Sequence, residues 1–257
     1  MRRWFVCLVA LGLAVGGLAA DAPRRILFIG NSYTGVNQLP TVFGEIVRSA
    51  GAGTPVIKSS TPGGQTLMQH CTVQPKSLAA IDEGGWDVVV LQGQSQEAAR
   101  AEVNEKVRAD FLAGARQLCE RVRAKSPGAR IYFYETWARH PDFWTAKDFN
   151  PEVGKDPKEM QARIRKWYAE AAGLCQATAV VPAGDAWELN DQEPNALRLH
   201  QKDNSHPEFA GTYLNALVFY RVIYQPKDLK VAYHGKVTDA EAARLQGLAG
   251  RVPLATR

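Results

Sequence analysis

Cysteine is scarce in this chain: four among 257 residues, at positions 7, 71, 119 and 175. No two stand in CxxC spacing, HExxH is missing, and His70, His140, His200 and His206 fall in no metal-ligand pattern. No metal and no cofactor are therefore expected. Neither a phosphate loop of the GxxxxGK[ST] kind nor a GxGxxG after the first strand occurs, which argues against nucleotide chemistry. No repeat, low-complexity block or long linker interrupts residues 24 to 225. Positive charge is only mildly in excess: 31 Lys and Arg against 26 Asp and Glu leave +5. The basic residues lie dispersed, as in Arg116, Arg121, Arg123 and Lys125, in the manner of a solvated helix face, so no nucleic-acid partner is expected.

What is present begins with a leader. Arg2 and Arg3 precede an uncharged apolar run from Trp4 to Leu18, and the small residues Ala19 and Ala20 follow. This order reads as a secretory signal peptide over residues 1–20. The run is shorter than the ~20 residues a spanning helix needs. The expectation is a single domain over residues 21–257, periplasmic or secreted, and not held at a membrane after cleavage. Without Arg2 and Arg3, +5 becomes +3. The three cysteines left form no disulfide framework, and Cys119 and Cys175 fall on apolar helix faces as small core residues.

Residues 21–257 alternate short apolar runs with longer helical stretches. Ile26–Ile29, Pro55–Lys58, Trp86–Leu91, Ile131–Tyr134 and Ala179–Pro182 read as strands. Leu39–Ala50 reads as a helix. Val103, Val107, Phe111, Ala115, Leu118 and Val122 recur at spacings of three and four, predicting one long helix from Ala98 to Lys125. Met160, Ile164, Trp167, Ala171 and Leu174 mark another, Phe209 to Tyr224 a third, and Asp239–Ala249 a short terminal one capped by Thr238 or Asp239. Strands alternating with helices imply right-handed crossovers and a parallel sheet covered on both faces.

In such sheets, sites lie beyond the carboxyl ends of the strands. There the sequence is polar: Gly30-Asn31-Ser32, then Ser59 to Thr66 around Gly63-Gly64, then Gln92-Gly93-Gln94-Ser95-Gln96, then Glu135-Thr136-Trp137. Asp203-Asn204-Ser205-His206-Pro207 precedes the last core helix. A serine hydroxyl becomes nucleophilic when a histidine takes its proton, and the histidine needs an acceptor that fixes its tautomer. Ser32, His206 and Asp203 can fill those roles, with Pro207 suited to the first helical position. An oxyanion needs donors. The backbone N–H groups of Ser32 and Gly64 and the side-chain amide of Gln94 are the candidates.

On Ile29-Gly-Asn-Ser-Tyr-Thr34, Gly64-Gln-Thr66, Val88-Val-Val-Leu-Gln-Gly-Gln94 and Asp203-Asn-Ser-His206, the chain resembles the SGNH/GDSL hydrolase superfamily. The four segments occur in that family's order. The resemblance implies a three-layer α/β/α sandwich with a mainly parallel, flavodoxin-like sheet. It also implies a serine nucleophile, an Asp-x-x-His pair and an oxyanion hole. Two positions depart from the family. Asn31 stands where an acid is usual. The third block sets Gln92 against a glycine, Gln94 against an asparagine and Ser95 against an acid; an alternative register makes Gly93 the family glycine and puts Ser95 at the amide.

The resulting expectation is a secreted serine esterase that removes short acyl groups, with acetyl groups on carbohydrate as the expected substrate. Trp137, His140, Phe143, Trp144, Phe149 and Trp187 could stack on sugar rings or could roof the core. Two other functions fit the same residues: a lipid or thioester hydrolase using the same triad, and a non-catalytic glycan-binding module.

Overall fold

The computed structural model describes residues 22–147 and 149–254; the leader expected over residues 1–20 lies outside them. In chain order the elements are β1 (Arg25–Ile29), α1 (Ser32–Gly35), α2 (Leu39–Ser49), β2 (Val56–Ser60), α3 (Leu67–Thr72), α4 (Pro75–Asp82), β3 (Val88–Leu91), α5 (Glu97–Arg100), α6 (Glu105–Lys125), β4 (Arg130–Glu135), α7 (Pro157–Leu174), β5 (Ala179–Pro182), α8 (Ala183–Asp191), α9 (Phe209–Tyr224) and α10 (Asp239–Arg251). The five strands form one sheet in the order β2-β1-β3-β4-β5, and every pairing is parallel.

Successive side chains of a strand point to opposite faces, and here each face has its own core. Ile26 and Phe28 of β1, with Tyr132 and Tyr134 of β4, pack under α2, α8, α9 and α10. Leu27 and Ile29, with Ile131 and Phe133, pack under α3, α4, α6 and α7. All four residues of β3 are buried, as a central strand covered on both faces requires. This is the three-layer α/β/α arrangement expected.

Two local readings need correction. The helix expected from Ala98 to Lys125 is two helices, α5 and α6. Asn104 turns out of helical conformation and accepts the Val107 N–H at 3.1 Å, capping α6 anew. Val103, counted on the apolar stripe, is consequently 57% exposed. Pro207 does not open α9: Glu208 is the N-cap, and Pro207 pairs with His200 in an isolated antiparallel bridge.

The order of the strands fixes where a site can form. The chain leaves β1 for β2 on one side and then crosses to β3 on the other, so the loops after β1 and β3 part in opposite directions and open a crevice between them. Gly30-Asn31-Ser32 and Gln92 to Gln96 are those two loops.

Candidate active site

β1 runs directly into the turn that carries Ser32. A side-chain carbon on Gly30 would lie 2.5 Å from Thr34 Oγ1 and 2.7 Å from Gln92 Oε1, so only glycine fits between the turn and the loop after β3. Asn31 is extended and caps α1, its Oδ1 accepting the Tyr33 N–H at 3.0 Å. Ser32 is thereby the first residue of α1.

At the other end of the chain, Asp203, Asn204, Ser205 and His206 make a tight turn. Asn204 adopts φ 60°, a left-handed conformation that asparagine tolerates. The turn aims the Ser205 and His206 N–H groups at Asp203 Oδ1, each at 3.0 Å, while Oδ2 lies 2.5 Å from His206 Nδ1. Burial alone would raise the Asp203 carboxyl, but the hydrogen bonds from the His206 ring and the two backbone groups outweigh it and hold the group below the usual carboxylate range. With Nδ1 facing a carboxylate, His206 Nε2 is left to accept, and it lies 2.9 Å from Ser32 Oγ. The structure therefore brings Ser32, His206 and Asp203 into one hydrogen-bonded row although 174 positions separate the serine from the histidine. Downstream, Asn37 Nδ2 donates to the Pro207 carbonyl at 2.9 Å, tying the histidine segment to the stretch just after α1.

Asn31 explains its own departure from the family pattern. It is 1% exposed, and its Nδ2 donates to two backbone carbonyls, Gln65 O at 3.1 Å and Gly93 O at 3.0 Å. One amide thus joins the loops that follow β1, β2 and β3, and a carboxylate would have nothing to donate. Gln92, fully buried, supports the same turn: its Oε1 accepts from the Asn31 N–H and from Thr34 Oγ1, both at 2.9 Å.

The three oxyanion candidates fare as follows. Ser32 and Gly64 offer backbone N–H groups that have no partner among the described residues. Gly64 lies in the β2–α3 loop at φ 71°, with open space where a side chain would stand. Gln94 Oε1 accepts the Gln96 N–H at 2.8 Å, and since a backbone N–H only donates, this fixes which way the amide points. Its Nε2 donates to Ser95 Oγ at 3.2 Å and keeps a second proton unused. Glu97 links the Gln94 and Gly64 loops, its Oε2 accepting from the Gln94 N–H at 3.1 Å and the Leu67 N–H at 3.4 Å. It is buried, and burial pushes its carboxyl up to about 7.

The aromatic residues divide. Trp137 is buried between Tyr33 and Trp187, stacked at 4.3 Å and 4.1 Å, and its indole N–H donates to the Ser205 carbonyl at 3.1 Å. Neither Trp137 nor Trp187 presents a face to a sugar; together they hold the histidine turn. Phe143, Trp144 and Phe149 stay partly exposed in the loop after β4. Sequence reasoning passed over Arg139, Tyr33, Ser205 and Glu97. A hydroxyl beside the nucleophile, another beside the histidine and an acid just after the third loop were the signals available.

Among the described residues no group of three His, Cys, Asp or Glu could hold a metal ion, and no helix is long and apolar enough to cross a membrane. Cys71, Cys119 and Cys175 are free thiols.

Comparison with known proteins bears on the fold. No protein-family model and no curated protein matches the chain. Among solved structures, a DUF4886 family protein from Bacteroides uniformis superposes with a TM-score of 0.71 at 18% identity, covering 88% of this chain and 92% of its own. A variant of an acetyl xylan esterase from Geobacillus stearothermophilus matches with a TM-score of 0.57 at 16% identity, over 78% of this chain and 94% of that one. A putative GDSL-like lipase from Parabacteroides merdae matches with a TM-score of 0.55 at 17% identity, over 80% and 97%. At these identities the chain shares the fold of those proteins, and what it does must be argued from its own side chains.

Proposed function

We propose that this protein is a serine ester hydrolase of the SGNH type, acting on short acyl esters, with an acetylated carbohydrate as the favoured substrate. The observation that carries the reading is the row Ser32 Oγ, His206 Nε2, His206 Nδ1, Asp203 Oδ2, joined at 2.9 and 2.5 Å and set at the crevice between the β1 and β3 loops.

In the proposed reaction, Ser32 Oγ attacks the ester carbonyl carbon as its proton passes to His206 Nε2. Asp203 keeps the ring in the tautomer that can accept and stabilises the imidazolium. The carbonyl oxygen takes up the electron pair, and the N–H groups of Ser32 and Gly64 with the Gln94 amide are the donors available to it. His206 returns the proton to the departing alcohol. Water then attacks the acyl-enzyme by the same route, releasing the acid and restoring Ser32.

The short acyl group and the carbohydrate rest on two supports. One matching structure is an acetyl xylan esterase, and the partly exposed Phe143, Trp144 and Phe149 follow a strand at the edge where the site lies. Secretion, from the leader, is part of the same proposal. Hydrolysis of p-nitrophenyl acetate by the wild type and by Ser32→Ala tests the chemistry. Loss of turnover by ~10³-fold or more in the variant is expected; equal rates would remove Ser32 from the reaction. Acetylated xylan against long-chain esters then tests the substrate.

A further inference from the structure

We propose that Arg139 is a positioning residue for this site, holding the Gln94 amide and the nucleophile turn in register through Ser95 and Tyr33; the role rests on the esterase reading above. Arg139 is 8% exposed and forms no ion pair among the described residues. Its guanidinium instead grips two hydroxyls. Nη1 donates to Tyr33 Oη at 2.5 Å and Nη2 donates to Ser95 Oγ at 2.9 Å. Nε has no acceptor and is shut off from solvent. A buried cation without an acid is costly to keep, and the planar fork that spans two separate acceptors is something an ammonium lacks.

What the fork holds is informative. Tyr33 follows Ser32 directly. Because Tyr33 Oη accepts from Arg139, its own proton is available to Ser205 Oγ, 3.0 Å away and next to His206. Ser95 follows Gln94 directly, and Ser95 Oγ also accepts from Gln94 Nε2. With Gln94 Oε1 held by the Gln96 N–H, the amide plane is fixed at both ends. One charge therefore lies a single residue away from the nucleophile and from the third oxyanion donor, and two residues, Tyr33 and Ser205, away from the histidine. A direct role as an anchor for a substrate anion fits less well, since Nη1 and Nη2 already serve protein hydroxyls and Nε is sealed.

The test is a mutant cycle read by phosphonylation and by turnover. A p-nitrophenyl alkylphosphonate reports the site in a single step: Ser32 Oγ bonds to phosphorus, p-nitrophenolate leaves, and the serine proton passes to His206. Arg139→Met and Ser95→Ala, the second much less demanding on folding, are expected to slow labelling and lower kcat by ~10–10²-fold, as small misplacement does, with KM within about twofold. Arg139→Lys is not expected to restore either rate. Gln94→Ala should cost ~10²–10³, and adding Arg139→Met to it should cost less than the same change costs in the wild type, because only the Tyr33 arm is then left to lose. Multiplying losses in the double variant, full rescue by lysine, or a rise in KM alone would each overturn the positioning role. An unlabelled wild type, or a labelled Ser32→Ala, would overturn the esterase reading itself, and the positioning role with it.

Discussion

Replacing Asn31 by aspartate would make this chain look more like the family it resembles, and the structure says it should be damaging. The Asn31 Nδ2 donates to the Gln65 and Gly93 carbonyls at 3.1 and 3.0 Å in a site 1% exposed. An aspartate oxygen in that place would face two carbonyl oxygens at hydrogen-bond distance with no proton to offer. The Oδ1 bond to the Tyr33 N–H would survive. The Gly93 carbonyl keeps the Gln92 Nε2 donor, but the Gln65 carbonyl is left unpaired, and a buried acceptor so left costs roughly 1–3 kcal/mol, so Asn31→Asp should lose at least about that much. In a domain of this size, 1 kcal/mol moves Tm by about 2–4 °C, which predicts a fall of about 2–12 °C.

The loss also has a pH signature. Burial against carbonyls raises the pKa of the introduced carboxyl above its unfolded value. The stability of the variant is then highest below that unfolded value and declines as pH rises through the folded one. Protonation returns one donor, so the deficit relative to wild type should shrink towards pH 5. Asn31→Ala leaves the same Gln65 carbonyl unpaired without adding a charge, and its deficit should not vary with pH. Calorimetry of the three proteins at pH 5 and pH 8 decides the matter. A variant melting within ~2 °C of wild type at pH 8, or a deficit equal at both pH values, would refute the claim that this amide binds the three loops together.

Glu97→Gln should become progressively more stable than wild type as pH rises from about 4.5 to about 7, because the wild-type carboxyl, pushed up to about 7, disfavours the fold once ionised. The relative gain is roughly 3 kcal/mol on full ionisation, and urea titrations at pH 4.5 and 8 with the same free-energy difference would contradict it. Gly114 on α6 lies against α3, where an added carbon would sit 2.4 Å from Met68 N and 2.7 Å from the Leu67 carbonyl carbon. Gly114→Ala should therefore destabilise by ~1–3 kcal/mol and, by moving α3 and the Gly64 loop ahead of it, lower kcat. Gly247→Ala on α10, with nothing within 4 Å of the new carbon, should be neutral or stabilising by ~1 kcal/mol; a matching loss at both glycines in thermal melts would mean that packing is not the cause.

The sequence disclosed the sheet because its strands are short apolar runs bounded by polar turns, and β3, buried on both faces, has no polar residue to blur the pattern. The hydrogen-bonded row of Ser32, His206 and Asp203 was legible because a serine just after the first strand and an Asp-x-x-His turn before the last core helix stood where strands and loops must converge. The α5–α6 break was hidden: Val103 keeps the helical spacing, and only the Asn104 side chain capping Val107 shows that the chain leaves the helix there. For Trp137 two readings stayed open, a sugar platform or a core roof, for a different reason. An indole after a strand has the same composition whether it faces a cleft or lies between Tyr33 and Trp187, and stacking is a relation among residues 33, 137 and 187 that no local pattern records.

Arg139 and Asn31 were obscured in a deeper way, because the work of each depends on which groups distant loops bring to it. At position 31 an amide stands where the family that the chain resembles has an acid, and in one register of the third block a hydroxyl at position 95 stands against an acid. Each change removes a negative charge from the same crevice. A buried arginine beside an ionised carboxylate at position 95 would pair with it. With Asn31 donating to carbonyls and Ser95 accepting from Nη2, the guanidinium stays unpaired and acts through hydroxyls instead. The hydroxyl at position 95 and the lone cation are thus one arrangement. It follows that Ser95→Asp should draw Arg139 into an ion pair, divert Nη1 from Tyr33 Oη, and lower kcat while leaving or raising Tm. A variant as active as wild type would show that the fork to Tyr33 is dispensable.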